Sequence, residues 1–180
     1  MDSELSSAAK VLAASLAKRG QMLVTAESCT GGWVGQVLTA IPGSSAWYDR
    51  GFITYSNEAK QDMLGVPEQT LREFGAVSVE TADAMARGAL ANSRASIALA
   101  VTGVAGPSGG TERNPVGTVC FAWASRARTK VGSAGSGRDW TDIACTTVRM
   151  KFDGDRERVR YQAVRVALDG ALRCAEAGTA

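Results

Sequence analysis

The chain has no histidine. That absence removes the Ser-His-Asp triad, the Cys-His pair and every histidine-ligated metal centre, both from one chain and from a homo-oligomer of it. Any hydrolytic base must then be a lysine, a tyrosine, a carboxylate or a thiol. Cysteine is sparse as well. Cys29, Cys120, Cys145 and Cys174 are scattered, with no C-x-x-C and no metal-ligand spacing, which argues against a zinc site and for a reduced, cytoplasmic protein. No metal and no cofactor is expected. No apolar run approaches the ~18 residues of a membrane span, and no charged-then-apolar leader precedes the first helix, so neither membrane insertion nor export is expected. Charge of one sign is also lacking. The 20 basic and 18 acidic residues leave +2, without the concentrated basic stripe of a nucleic-acid binder.

What is present suits one globular domain over residues 1–180, since 180 residues with 45% hydrophobic content can bury a full core. Leu5, Ala8, Ala9, Leu12 and Leu16 follow helical spacing and predict an amphipathic first helix ending near Gly20. Leu23 to Ala26 is a short apolar run, and Trp33, Val34, Val37, Leu38 and Ile41 recur at helical spacing, so the reading is strand, tight turn, helix. The turn holds most of the reactive chemistry. Ser28, Cys29 and Thr30 offer a nucleophile, and Gly31 and Gly32 let backbone N–H groups close on a substrate oxygen at a helix N-terminus. An ordinary capped strand-to-helix turn accounts for the same residues.

Phe52 to Tyr55 reads as a second strand, followed by a helix that Asn57 caps and that carries Glu58, Lys60 and Met63. Lys60 falls in the first turn or so, where an ammonium group is disfavoured and a neutral amine is helped, though a solvated helix lysine has the same pattern. Glu68 to Phe74 predicts a short helix, and Ser78 caps a longer one with Ala82, Met85, Ala86, Ala89 and Leu90 inward. Ile97 to Val101 is an unbroken apolar run of the kind seen in a fully buried strand, and it ends in a second glycine-rich loop, Thr102 to Gly110. Two such loops after strands of an open α/β sheet suggest one shared crevice, unless the second is a flexible connector. Gly117 to Ala124 and Ile143 to Phe152 read as strands joined by an exposed connection, Ser125 to Asp142. Asp153 to Arg156 introduces the last helix, with Val159, Ala163, Val166, Ala167 and Gly170 inward. Arg156 and Arg160, one turn apart, suit either a phosphate or solvent.

The stretches Thr25 to Gly32, Gly43 to Trp47, Tyr55 to Lys60, Gly75 to Ser78, Thr102 to Gly110, Pro115 to Thr118 and Gly154 to Arg156 together resemble the CinA C-terminal domain family. The resemblance runs in order over a core of about residues 5–175. It implies an α/β fold, a three-layer αβα sandwich around a central mixed sheet. It also implies hydrolysis of a small-molecule pyridine nucleotide, nicotinamide mononucleotide, to nicotinic acid mononucleotide and ammonia in pyridine nucleotide recycling. Under this resemblance Ser28 matches the nucleophile, Lys60 and Tyr55 match residues that activate it or relay its proton, and Ser45 matches a further serine near the site. A Ser-Lys arrangement agrees with the missing histidine. Backbone donors at Thr30, Gly31 and Gly32 are expected to hold the oxyanion. The substrate phosphate falls either to the second loop, with Thr102, Gly103 and Gly106, or to Arg156, and the sequence leaves both open. Cys29 is the rival nucleophile, and a small buried side chain is its plainer reading. Family members often carry an additional N-terminal domain, whose activity is not expected here. The alternative from another class is a nucleotide-binding accessory protein without turnover, in keeping with the family's association with competence and DNA damage. A homo-oligomer, and first a two-fold dimer, is expected because such assemblies are the commonest.

Overall fold

The computed structural model describes residues 3–126 and 143–177. In chain order the elements are α1 (Ser3–Arg19), β1 (Leu23–Glu27), α2 (Trp33–Thr39), a 3₁₀ turn (Ser44–Ala46), β2 (Tyr48–Ile53), α3 (Asn57–Leu64), α4 (Glu68–Phe74), α5 (Val79–Ala91), β3 (Ile97–Gly103), β4 (Thr118–Arg126), β5 (Ile143–Lys151) and α6 (Arg156–Ala177). The strands form one sheet in the order β2-β1-β3-β4-β5. β1 runs parallel to both β2 and β3, while β4 pairs antiparallel with β3 and β5 with β4. The sheet is therefore mixed, as the resemblance implied.

Alternation along the central strands creates the two helical layers. Ile97, Leu99 and Val101 of β3 join Val119, Phe121 and Trp123 of β4 beneath α1, α2 and α6. Ala98, Ala100, Cys120, Ala122 and Ala124 point to the other face, where α5 brings Ala82, Met85, Ala86 and Ala89. Small residues on both sides of that second interface let α5 approach the sheet closely. Gly88 extends this closeness to α3, because a Cβ there would overlap the backbone carbonyl of Leu64. Alanine is the better helix former by about 1 kcal/mol, but a backbone carbonyl cannot step aside as a side chain does. Gly88→Ala is therefore expected to destabilise the protein by about 1–3 kcal/mol, the usual cost of overpacking. A urea titration checks this, and an unchanged or higher midpoint would refute the close α3–α5 contact.

Most elements fall where their periodicity places them, and the differences have physical reasons. β2 begins at Tyr48 and ends at Ile53, rather than covering Phe52 to Tyr55. It is an edge strand whose Arg50 and Gly51 are exposed, so its first half resembles a turn while pairing with Val24 and Thr25. Ser56, not Asn57, caps α3, its hydroxyl accepting from the Ala59 N–H at 3.0 Å. α6 buries Val164 and Leu168 as well as Val159, Ala163 and Ala167, because it packs against both α1 and the sheet and so needs a wider apolar face. β4 continues through Arg126. The rest of the expected connection, residues 127–142, lies outside the described residues. Among the described residues no helix is long and apolar enough to cross a membrane.

This topology positions the site. The C-terminal ends of β1, β2 and β3 share one edge, and the chain leaves β1 toward the α2 face but leaves β2 toward the α3 face. Adjacent parallel strands whose following loops part in this way open a crevice between them. β5, antiparallel to β4, ends at the same edge and delivers the start of α6 to it.

Candidate active site

All five residues of β1 are buried, and the strand hands its geometry directly to the turn. The Ser28 N–H donates to the Val101 carbonyl at 2.9 Å and the Thr54 N–H donates to the Glu27 carbonyl at 2.8 Å, so both neighbouring strands hold the turn's first residues. The Glu27 carboxylate folds under the turn. Its Oε2 accepts from Thr30 Oγ1 at 2.7 Å, Gly32 N at 3.0 Å and Val34 N at 3.1 Å, and its Oε1 accepts from Gly35 N at 2.9 Å. These are the orphan donors at the start of α2, so the protein supplies its own anion there.

From the other side Arg160 of α6 clasps the turn's carbonyls. Its Nε donates to Cys29 O at 3.2 Å and its Nη2 to Thr30 O at 2.8 Å, while the guanidinium lies 5.2 Å from the centre of the Trp33 ring. Held between a carboxylate and a guanidinium, the turn presents Ser28 toward α3.

Lys60 meets it there. The side chain is only 1% exposed, and Nζ lies 3.2 Å from Ser28 Oγ, 2.8 Å from Thr54 O and 3.5 Å from Ser56 O. No carboxylate pairs with it among the described residues. Burial pushes its pKa below the ordinary lysine value. All three neighbours are oxygens to which the Lys60 amine can donate; once neutral, the amine keeps two N–H donors for the two carbonyls and can turn its lone pair to the proton of the Ser28 hydroxyl. Cys29 differs in kind. It is 6% exposed, and burial pushes its thiol pKa up to about 12, which suppresses the thiolate that a nucleophilic cysteine needs.

A cavity of about 270 Å³ joins these residues, lined among others by Ser28, Lys60, Tyr55, Thr102, Gly103 and Gly106. The two glycine-bearing turns thus share one crevice, and Arg156 lies on its wall. Within it the expected residues have distinct positions. Tyr55 is 62% exposed at the rim, and its hydroxyl accepts from Arg156 Nη2 at 3.0 Å, while among the described residues the hydrogen bonds of Lys60 Nζ go to Ser28, Thr54 and Ser56. Arg156 Nη1 donates to Gly106 O at 2.8 Å. The Thr102 hydroxyl donates to Ala76 O at 2.7 Å, and Gly103 lets β4 pass where a Cβ would lie 2.7 Å from Thr118 O.

Two expectations need correction. The N–H groups of Gly31 and Gly32 are already bonded, to Ser28 O at 3.1 Å and to Glu27, so neither glycine is a free oxyanion donor. Among the described residues the Cys29 and Thr30 amides have no oxygen acceptor. Ser45 is exposed in the 3₁₀ turn before β2, and Trp47 O accepts from Leu23 N at the start of β1. Ser28 follows the end of that five-residue strand, so at about 3.3 Å per residue the two serines stand roughly 16 Å apart along it. Glu27, which ties the turn to α2, has little signature of its role in the sequence. An acidic residue closing an apolar strand run, just before a Ser and two glycines, was the available signal.

The CinA C-terminal domain family matches residues 5–175. The nicotinamide-nucleotide amidohydrolase PncC of Shigella flexneri is 48% identical over 167 residues, 93% of this chain and 92% of the relative. Its counterpart in Escherichia coli K12 is 49% identical over the same shares. A putative competence-damage inducible protein of Symbiobacterium thermophilum is 51% identical over 85% of this chain but only 34% of its own length. Among solved structures, the competence/damage inducible protein CihA of Agrobacterium tumefaciens superposes with a TM-score of 0.85 at 41% identity, covering 97% of each chain. A CinA superfamily protein of Klebsiella pneumoniae gives 0.83 at 38% identity over 96% of this chain and 98% of that one.

Proposed function

Because the chain belongs to the CinA C-terminal domain family and matches nicotinamide-nucleotide amidohydrolases over nine-tenths of its length, we propose that it hydrolyses nicotinamide mononucleotide. The products are nicotinic acid mononucleotide and ammonia, and the reaction is a step in pyridine nucleotide recycling. The whole chain is read as one such domain. Location in the cytoplasm and assembly as a homo-oligomer, a two-fold dimer first, belong to the same reading and rest on the scattered free thiols and on how common such dimers are.

The observation that carries the mechanism is the 3.2 Å approach of the buried Lys60 amine to Ser28 Oγ. Neutral Lys60 takes the Ser28 proton as Oγ attacks the carboxamide carbon. The Cys29 and Thr30 amides, left over after Glu27 has taken the donors of α2, face the developing oxyanion. Collapse breaks the C–N bond, and the Lys60 ammonium returns its proton to the departing nitrogen, releasing ammonia. Water then attacks the acyl ester with Lys60 again as base, freeing the acid and Ser28. Tyr55 acts at the rim through Arg156, not as a direct relay to Lys60.

Purified protein is expected to release one ammonia per nicotinamide mononucleotide consumed, with nicotinic acid mononucleotide formed in equal amount by chromatography. Binding of the mononucleotide without ammonia release would overturn the amidase reading and leave a nucleotide-binding protein on this scaffold.

A further inference from the structure

A cavity of about 690 Å³ opens between α3, α4, α5 and β5, and it shares no lining residue with the crevice at Ser28. Its volume falls within the about 300–1,000 Å³ usual for a small-molecule site. Leu64, Pro67, Phe74, Val79 and Ala84 make the wall largely apolar. The amidase chemistry uses none of these residues.

The polar part of the lining is anionic. Asp83 is paired with Arg87, whose Nε donates to Oδ2 at 2.8 Å, and Arg87 Nη1 also donates to Ile143 O at 3.4 Å. Glu80, in the first turn of α5, lines the same space, is exposed, and forms no ion pair among the described residues. Burial, and then the Asp83 carboxylate, push the Cys145 thiol up, so Cys145 stays neutral and adds no charge. Two carboxylates against one guanidinium therefore leave one negative charge uncancelled. An uncancelled carboxylate in an apolar wall that also holds an aromatic ring, Phe74, is the chemistry that recognises an organic cation.

Two walls of this cavity continue into the catalytic crevice. Leu64 of α3 lines the cavity, and Lys60, one turn earlier on the same helix, lines the crevice. The Val66 N–H donates back to the Lys60 carbonyl at 3.1 Å, which ties the end of α3 to the lysine. Phe74 lines the cavity, while Ala76 and Val77 line the crevice, and Ala76 O accepts the Thr102 hydroxyl at 2.7 Å. A ligand seated against Leu64 and Phe74 bears on both elements that border Ser28, which is the physical requirement for coupling between two sites.

We propose that this cavity is a second ligand site, for an apolar organic cation, and that its occupant alters turnover at Ser28 through α3 and residues 74–77. The site itself stands without the amidase reading. Its effect on turnover rests on that reading.

The probe is N-benzylpyridinium, a permanent cation, with benzylpyridine in its unprotonated form as the uncharged counterpart. Calorimetry on the full chain is expected to show saturable binding of the cation and weaker binding of the counterpart. Glu80→Gln removes the uncancelled charge at an exposed position and is expected to weaken the cation about three- to tenfold. Ala84→Phe fills the cavity from α5 and is expected to abolish binding while leaving basal ammonia release in place. In wild type the cation is expected to change kcat for nicotinamide mononucleotide at least about twofold, and in Ala84→Phe to change nothing. Absence of saturable binding, or binding that survives Ala84→Phe, would overturn the site. Equal binding of the neutral counterpart, with no effect of Glu80→Gln, would overturn the cation assignment. Saturable binding lost in Ala84→Phe, in a protein that releases no ammonia, would uphold the site and sink the amidase reading. The same binding with kcat unchanged in an active enzyme would overturn the coupling to Ser28.

Discussion

Ser28→Ala is expected to lower ammonia release from nicotinamide mononucleotide by about 10⁴- to 10⁶-fold, the scale seen when a nucleophilic serine is removed from other hydrolases. The substrate's KM is expected to stay within a few fold, because most of its binding contacts lie away from Oγ. The fold should survive, since Ser28 is held through its backbone N–H and carbonyl and its hydroxyl meets Lys60 alone among the described residues. Cys29→Ala is the matched control. Its thiol is buried and its pKa stands near 12, so it is expected to keep activity within a few fold. Steady-state kinetics of the two variants separate the neighbouring candidates. Retention of most of the wild-type rate by Ser28→Ala, with loss in Cys29→Ala, would transfer the nucleophile to the thiol and require a new account of Lys60.

The two glycine-bearing turns and the central strand were legible because local chemistry announces them. Ile97 to Val101 cannot be anything but buried, and Ser28 with Gly31 and Gly32 cannot be an ordinary strand continuation. The role of the glycines was misread for a reason that lies in tertiary structure. Glu27 takes the donors that a helix N-terminus would otherwise offer a ligand, and nothing in a single sequence says which way a carboxylate at a strand end will fold. β2 was read short because an edge strand exposed to water uses the same polar residues as a turn. Ser45 carries the opposite lesson. Its motif matches the family, but the parallel pairing of β1 with β2 puts the turn before β2 at the sheet end remote from Ser28. Arg160 was visible as a cation one turn beyond Arg156, while its grip on Cys29 O and Thr30 O needed the packing of α6 against α2.

Lys60→Met is expected to reduce kcat by about 10²- to 10⁴-fold, the usual worth of a positioned general base, and to change the pH dependence of what remains. The active form of Lys60 is the neutral amine. The wild-type rate should therefore rise with pH through the lysine pKa and level off above it. Because burial displaces that pKa downward from the ordinary lysine value, the rise should be complete at a lower pH than a solvated lysine would allow. In Lys60→Met the rise should vanish, leaving a rate set by hydroxide or water alone. A structural role for Lys60, through Thr54 O and Ser56 O, would lower the rate without removing the pH limb. Chemical rescue adds a second discriminating readout. In Lys60→Ala the truncated side chain leaves space beside Ser28, and added methylamine is expected to restore part of the rate in proportion to the concentration of its neutral form. A Lys60→Met enzyme that keeps the wild-type pH profile, together with a Lys60→Ala enzyme indifferent to methylamine, would remove Lys60 as the base. Tyr55 would then be the next group to test, since it lines the same cavity.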